Sequence, residues 1–184
     1  MRGRGGPATL GFIMSAGRFL KLVAVAAVFA WFLRSCAMEG VYIASASMEP
    51  TLPVDTHALL DKLTYRIRDP RRGDIVVFPA PVPPHEEMVK RVIAVGGDTL
   101  ELRDKQVLLN GAAQAEEYVR HSRPQEKLDG DTLGPITVPP DKLFVLGDNR
   151  DESDDSSVWK DPGTKERVYF VDRSRVRGLL RGFY

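Results

Sequence analysis

The chain of 184 residues has few of the residue types that hold metals or cross-link a fold. A single cysteine excludes an internal disulfide framework and a multi-cysteine zinc site. The three histidines, His57, His85 and His121, lie far apart and show no H-x-x-H or H-E-x-x-H spacing, which argues against a metal site. We therefore expect a function that needs no metal ion and no other cofactor.

Negative charge is missing from the first 38 residues, which contain five basic residues and no acidic one. The remainder has 21 basic and 25 acidic residues, so the net charge of +1 hides a basic N-terminus on a mildly acidic body. This asymmetry favours a membrane segment over a nucleic-acid-binding surface.

The basic N-terminus contains a wholly apolar run at 22–33. As a helix this run spans about 18 Å, less than the ~30 Å of the hydrocarbon core. Residues 19–38 would be long enough to cross, with Lys21 and Arg34 near the ends, where their side chains can reach the headgroups. The pattern by itself also fits a removed signal peptide, because A-S-A at 44–46 has the form of a cleavage site.

After residue 38 the pattern changes to short apolar runs bounded by Gly, Pro, Asp and Asn, which is typical of strands. Asp104-Lys105 is a candidate hairpin turn, and Asn110-Gly111 is a strong turn signal. The sequence therefore predicts a mainly β domain behind one helix. The candidate strands are 41–44, 58–63, 74–78, 88–95, 99–103, 106–109, 136–138, 142–146, 168–171 and 176–180.

The segment S-A-S-M-E-P-T-L (45–52) places two serines, Ser45 and Ser47, just before a proline turn. A serine held between a strand and a turn can present its hydroxyl and its backbone N–H together, which combines a nucleophile with an oxyanion donor. Alone the segment says little, since Ser, Pro and Thr cluster in most loops.

The segment M-V-K-R-V-I-A-V (88–95) places a lysine in an apolar strand. Strand alternation puts Lys90 on one face with Met88, Val92 and Ala94, and Arg91 on the other. Burial there would lower the pKa of Lys90, and a neutral lysine can take a proton from a serine hydroxyl. The alternative is an edge-strand lysine whose amine reaches solvent.

A third segment, G-D-N-R-D-E-S-D-D-S-S (147–157), is rich in acids and follows an apolar strand. It does not fit a calcium-binding loop, because Arg150, Ser153 and Trp159 would stand at the third, sixth and twelfth positions. Its polar groups are suited to holding other side chains in place.

Together with R-G-D-I-V-V-F (72–78), these segments resemble bacterial type I signal peptidases, in the same order and behind a similar N-terminal segment. The resemblance runs from about residue 19 to Trp159, with a weaker tail at 171–178. One block alone is modestly specific, whereas four in order are highly specific.

This resemblance implies a membrane-bound serine endopeptidase with a Ser–Lys dyad on a mostly β fold, which removes signal peptides from exported preproteins. By motif, Ser47 resembles the nucleophile and Lys90 the general base. Ser45 resembles the hydroxyl donor of the oxyanion hole, and Ser153 and Asp155 resemble the groups that support the lysine.

The resemblance also favours an uncleaved anchor in the bacterial inner membrane. It divides the chain into a cytoplasmic segment (1–18), a transmembrane anchor (19–38) and an exported catalytic domain (39–184). The expected partners are preprotein signal peptides and the lipid bilayer, with no nucleic acid. Substrates are expected to carry small residues at the −3 and −1 positions. The candidate pocket walls, which would exclude bulky side chains by overlap, are Ile43, Met48, Met88 and Val89.

Two positions depart from the family pattern. Ala44 stands where a proline is usual, and Ser157 stands where an arginine is usual, which puts the salt bridge of that motif in doubt. Two alternatives stay open: a specialised relative that processes conjugation pilins or organelle proteins, and an inactive membrane-tethered β scaffold. The intact serines and lysine argue against the scaffold, and the oligomeric state is not indicated.

Overall fold

The structure is a computed structural model of the chain, and it describes residues 16–183, without the side chains of 33–36. Most of the predicted cytoplasmic segment 1–18 lies outside the described residues. The chain divides into two units, Met1–Cys36 and Ala37–Tyr184.

The described part of the N-terminal unit is helical, within α1 (Ala16–Ala37). Its apolar side chains are largely exposed, among them Phe19, Leu20 and Trp31. The sequence predicts a transmembrane crossing at 19–38, but the described residues contain no helix long and apolar enough to cross a membrane. The crossing is therefore not supported by the structure.

The body is mainly β, as the sequence predicts. Within residues 37–183 it contains eleven strands, three single-turn 3₁₀ helices and one short α-helix, α2 (Thr64–Ile67). The strands are β1 (Met38–Ile43), β2 (Thr56–Asp61), β3 (Ile75–Pro79), β4 (Glu87–Val95), β5 (Thr99–Arg103), β6 (Gln106–Leu109), β7 (Ala112–Ala113), β8 (Leu133–Thr137), β9 (Lys142–Leu146), β10 (Val171–Asp172) and β11 (Gly178–Phe183).

The strands form two antiparallel sheets among the described residues. The first has the order β1-β2-β11-β3-β4-β9-β10, and the second has the order β7-β6-β5-β8. Both predicted turns are confirmed: Asp104 and Lys105 have positive φ between β5 and β6, and Asn110 and Gly111 have positive φ between β6 and β7. Asparagine and glycine accept this conformation at little steric cost.

The predicted strand 168–171 is mostly wrong, because only Val171 belongs to a strand. Val168, Tyr169 and Phe170 are instead partly buried side chains packed against the hydrophobic cores. Their apolar character reflects core packing rather than a hydrogen-bonded ladder, and the two roles look alike in a short run.

Strand β4 lies inside the first sheet, between β3 and β9. Val76 of β3 is opposite Lys90, and Leu146 of β9 is opposite Arg91. The polar segment 147–157 begins where β9 ends, so the fold brings it next to β4. Strand β1 ends at Ile43, just before the two serines.

Candidate active site

Ser47 lies in a 3₁₀ turn, Ala46–Met48, that follows β1. Core packing anchors the turn, because Met48 and Leu52 are 1% and 2% exposed and pack in one core cluster with Ile43. Its backbone closes locally, since the N–H of Glu49 donates to the carbonyl of Ala46 at 3.1 Å. Buried apolar residues before and after Ser47 in the chain therefore fix the position of its polar side chain at the edge of the hydrophobic core.

Lys90 reaches this turn from β4. Its Nζ donates to Ser47 Oγ at 2.8 Å, the one hydrogen bond of this amine to the residues that the structure describes. Lys90 is 4% exposed. Burial lowers the pKa of Lys90, as the sequence predicts, although the carboxylates of Asp155, Asp154 and Asp148 act in the opposite direction.

Ser45 lies on the other side of the same hydroxyl. Its Oγ is 3.1 Å from Ser47 Oγ, and its own side chain is exposed. Ser47 Oγ therefore lies between an amine that can accept its proton when neutral and a hydroxyl that can donate to a nearby oxyanion.

Asp155 is the centre of the polar segment that follows β9. It is 1% exposed and its two oxygens accept four hydrogen bonds. Oδ2 accepts from the hydroxyl of Ser153 at 2.5 Å and from the N–H of Gly147 at 2.9 Å. Oδ1 accepts from the hydroxyl and the N–H of Ser157, at 2.7 and 3.0 Å. Ser157 thus supplies hydrogen bonds to Asp155 at the position where the family pattern has an arginine.

A buried ion pair connects β4 to the start of the same segment. Arg91 donates to both oxygens of Asp148, at 2.8 and 2.5 Å, and its guanidinium lies 3.9 Å from the ring centroid of Tyr118. Thr51 also donates to Asp148, at 2.5 Å. This network joins three separate stretches of chain next to the dyad. We did not expect it from the sequence, although a single arginine on the far face of a buried strand is a signal for such a pair.

The two serines and the lysine open into a cleft of about 440 Å³. All four expected pocket residues line it. Four carboxylates line it as well, two of them from the acid-rich segment 147–157, so the cleft combines apolar and acidic side chains. The lining residues are Tyr42, Ile43, Ala44, Ser45, Ser47, Met48, Glu86, Glu87, Met88, Val89, Lys90, Glu152 and Asp154.

A metal has no evident place near the dyad: no group of three or more His, Cys, Asp and Glu side chains within the described residues could hold one. The chemistry that the geometry supports is proton transfer from a serine hydroxyl to a lysine amine.

Comparison with known proteins agrees with this chemistry. A family model described as "Signal peptidase, peptidase S26" matches residues 16–183. A probable signal peptidase I-2 of Synechocystis sp. is 38% identical over 162 residues, which cover 85% of this chain and 70% of that protein. A signal peptidase I of Leptolyngbya laminosa is 36% identical over 165 residues, covering 86% and 77%.

A crystal structure of a signal peptidase I from Enterococcus faecalis V583 is similar at 33% identity, with a TM-score of 0.48, over 62% of this chain and 99% of that one. The sequence relatives and the matching family model indicate a serine endopeptidase. More narrowly, the chain belongs to the signal peptidase family, peptidase S26.

Proposed function

We propose that this chain removes N-terminal signal peptides from exported preproteins, with Ser47 as the nucleophile and Lys90 as the general base. One observation carries the assignment of the two residues: the 2.8 Å hydrogen bond from Lys90 Nζ to Ser47 Oγ, made by an amine that is almost fully buried. Family membership supports the substrate class.

The reaction follows from these positions. Neutral Lys90 takes the proton of Ser47 while Oγ attacks the scissile carbonyl, and a tetrahedral oxyanion forms. The backbone N–H of Ser47 and the hydroxyl of Ser45 donate to that oxyanion. Protonated Lys90 then gives its proton to the leaving amine, and the mature protein departs. A water molecule, deprotonated by Lys90, hydrolyses the acyl-enzyme and frees the signal peptide.

Ser153 and Asp155 support the base without taking part in proton transfer. Ser153 donates to the carboxylate of Asp155, and the charge of that carboxylate partly offsets the lowering of the Lys90 pKa by burial. Asp155 also holds Gly147 and Ser157, so it keeps the polar segment in place beside the turn.

The apolar cleft walls set the preference for small substrate side chains at −1 and −3. Ile43, Met48, Met88 and Val89 present aliphatic surface close to the dyad. Such walls exclude bulky side chains by overlap rather than by charge. A substrate series with Ala, Leu and Phe at −1 should be cleaved in the order Ala far above Leu and Phe. Equal cleavage of all three would contradict this specificity.

Membrane attachment through the N-terminal segment is part of the same proposal. The absence of acidic residues in the first 38 positions and the exposed apolar side chains of α1 support it. The body would then lie on the exported side of the bacterial inner membrane, after a single crossing at 19–38. Protease added outside spheroplasts should digest the body. Protection that is lost only on lysis would contradict this topology.

The function is tested by incubating the detergent-solubilised chain with a preprotein and sequencing the new N-terminus of the product. Ser47→Ala should abolish cleavage, because it removes the nucleophile and little volume. Lys90→Arg should be equally inactive, because a guanidinium does not deprotonate in this pH range. The control is Ser174→Ala, which changes an exposed serine and should cleave normally. Turnover by Ser47→Ala near that of the unmodified chain would exclude the proposal.

A further inference from the structure

Asn149, in the polar segment after β9, contacts the backbone of the Ser47 turn at two successive carbonyls. Its N–H donates to the carbonyl of Ser47 at 3.0 Å, and its side-chain Nδ2 donates to the carbonyl of Ala46 at 3.2 Å. Asn149 is 2% exposed. Its Oδ1 has no hydrogen-bond partner among the described residues. Within the part of the chain that the structure describes, the side chain of Asn149 therefore makes its hydrogen bond to the Ala46 carbonyl alone.

The carbonyl of Ala46 and the N–H of Ser47 belong to one planar trans peptide group and point in opposite directions. A donor that holds the Ala46 oxygen therefore also determines where the Ser47 N–H points. The second bond holds the carbonyl on the other side of the Ser47 Cα atom. Together the two bonds restrain both peptide planes that flank Ser47, and with them the direction of its side chain.

A hydrogen bond within the turn cannot fix the direction of these two peptide planes relative to the rest of the fold. Glu49 N–H also donates to the Ala46 carbonyl, but it belongs to the same turn and moves with it. Asn149 connects the turn to the segment that follows β9, and β9 lies in the sheet beside β4, the strand that carries Lys90. It therefore aligns the serine with the lysine as well as with the oxyanion.

We propose that Asn149 is a positioning residue that directs the backbone N–H of Ser47 toward the oxyanion through its side-chain bond to Ala46. The inference rests on the proposed peptidase function. It places the effect on the transition state rather than on substrate binding, because the cleft walls do not include Asn149.

The test compares Asn149→Ala with Asn110→Ala, which removes the chain's other asparagine side-chain amide in a turn of the second sheet. Both are measured in the full chain for kcat, KM, the pH profile and thermal unfolding, with kcat corrected for the folded fraction. The inhibition constant of a peptide aldehyde is measured as well, because the aldehyde adds to a serine and places an oxyanion in the same site. Asn149→Asp keeps the side-chain shape and removes the donor, and it serves if the alanine variant folds poorly.

We expect Asn149→Ala to lower kcat by about 10²-fold with KM and the acid limb nearly unchanged. Affinity for the aldehyde should fall by a similar factor, and Asn110→Ala should keep normal kcat. An unchanged kcat would overturn the inference, as would a loss that appears in KM alone or one that disappears after correction for folding. If the unmodified chain fails to cleave a preprotein, the proposed function itself is wrong, which is a distinguishable result.

Discussion

Lys90 is subject to two opposing electrostatic effects. Burial of its amine favours the neutral form, whereas three nearby carboxylates favour the charged form. Asp154 is one of these carboxylates, and it lines the cleft without any hydrogen bond to the serines among the described contacts. Burial raises the pKa of Asp154 itself. This residue therefore affects the charge of the base without holding its geometry.

Asp154→Asn should move the acid limb of kcat/KM to lower pH. Activity rises with pH as Lys90 loses its proton, and removing a negative charge makes that proton easier to lose. The profile is measured on a preprotein substrate, with Asp104→Asn on the exposed β5–β6 turn as the control. A limb that stays in place, or moves to higher pH, would contradict the electrostatic role.

Ser157 is the second residue whose effect can be isolated. Its hydroxyl is one of four donors to the buried carboxylate of Asp155. A hydrogen bond to a charged group contributes about 1.5–3 kcal/mol, so Ser157→Ala should lower the free energy of unfolding by about 2 kcal/mol. Urea unfolding measures the change. Ser174→Ala, at an exposed position, should change the free energy of unfolding by no more than about 0.5 kcal/mol. An equal change in both variants would contradict a stabilising role for the hydrogen bond from Ser157 to Asp155.

At the scale of elements, the site depends on the close approach of two loops. The turn after β1 and the segment after β9 touch at Gly147, where an added Cβ would lie 2.3 Å from Ser153 Oγ and 2.5 Å from the carbonyl oxygen of Ser47. No side chain fits there, because one of the two neighbours is backbone that must stay in place.

Gly147→Ala should therefore push the two loops apart and cost at least 10²-fold in kcat, with a lower melting temperature. The control is Gly163→Ala, where the nearest atom is a side-chain oxygen of Asp161 at 3.3 Å. Preprotein cleavage and thermal unfolding are measured for both. Normal activity in Gly147→Ala would mean that the loops tolerate separation.

The strands that position this contact were largely predictable. β5, β6 and β9 have the predicted bounds, and β4 differs from its prediction by one residue. Alternation of apolar and polar residues, bounded by turn residues, carries this information in the sequence. The two-residue strands β7 and β10 were not predictable, because so short a pairing depends on the neighbouring strand rather than on local pattern.

For the molecule as a whole, carboxylates with lowered pKa values are distributed through the body. A hydrogen bond from the hydroxyl of Thr64 is the largest cause that lowers the pKa of Asp61 to about 2. At Asp98, burial raises the pKa, but hydrogen bonds and charge from Arg72 outweigh it and the pKa is lowered. Such groups contribute stability above their unfolded-state pKa, and that stability is lost as the pH falls through the folded-state value.

We expect the melting temperature of the full chain in detergent to be steady down to about pH 4 and to fall between about pH 4 and 2. Asp61→Asn should be less stable than the unmodified chain at neutral pH and should converge with it at the acid end. Calorimetry across this range measures both curves. A difference between them that is independent of pH would show that Asp61 acts through packing instead of charge.

The sequence alone determined the mainly β body and singled out the two serines, the lysine and the polar segment, because strand alternation and turn chemistry are local properties. Tertiary structure decided what these groups do together. Ser47 and Lys90 are 43 residues apart, and only the register of β4 brings the amine to the hydroxyl. The two hydrogen bonds from Asn149 to the Ser47 turn also depend on the paths of two loops. No local pattern encodes those paths, because they follow from long-range packing.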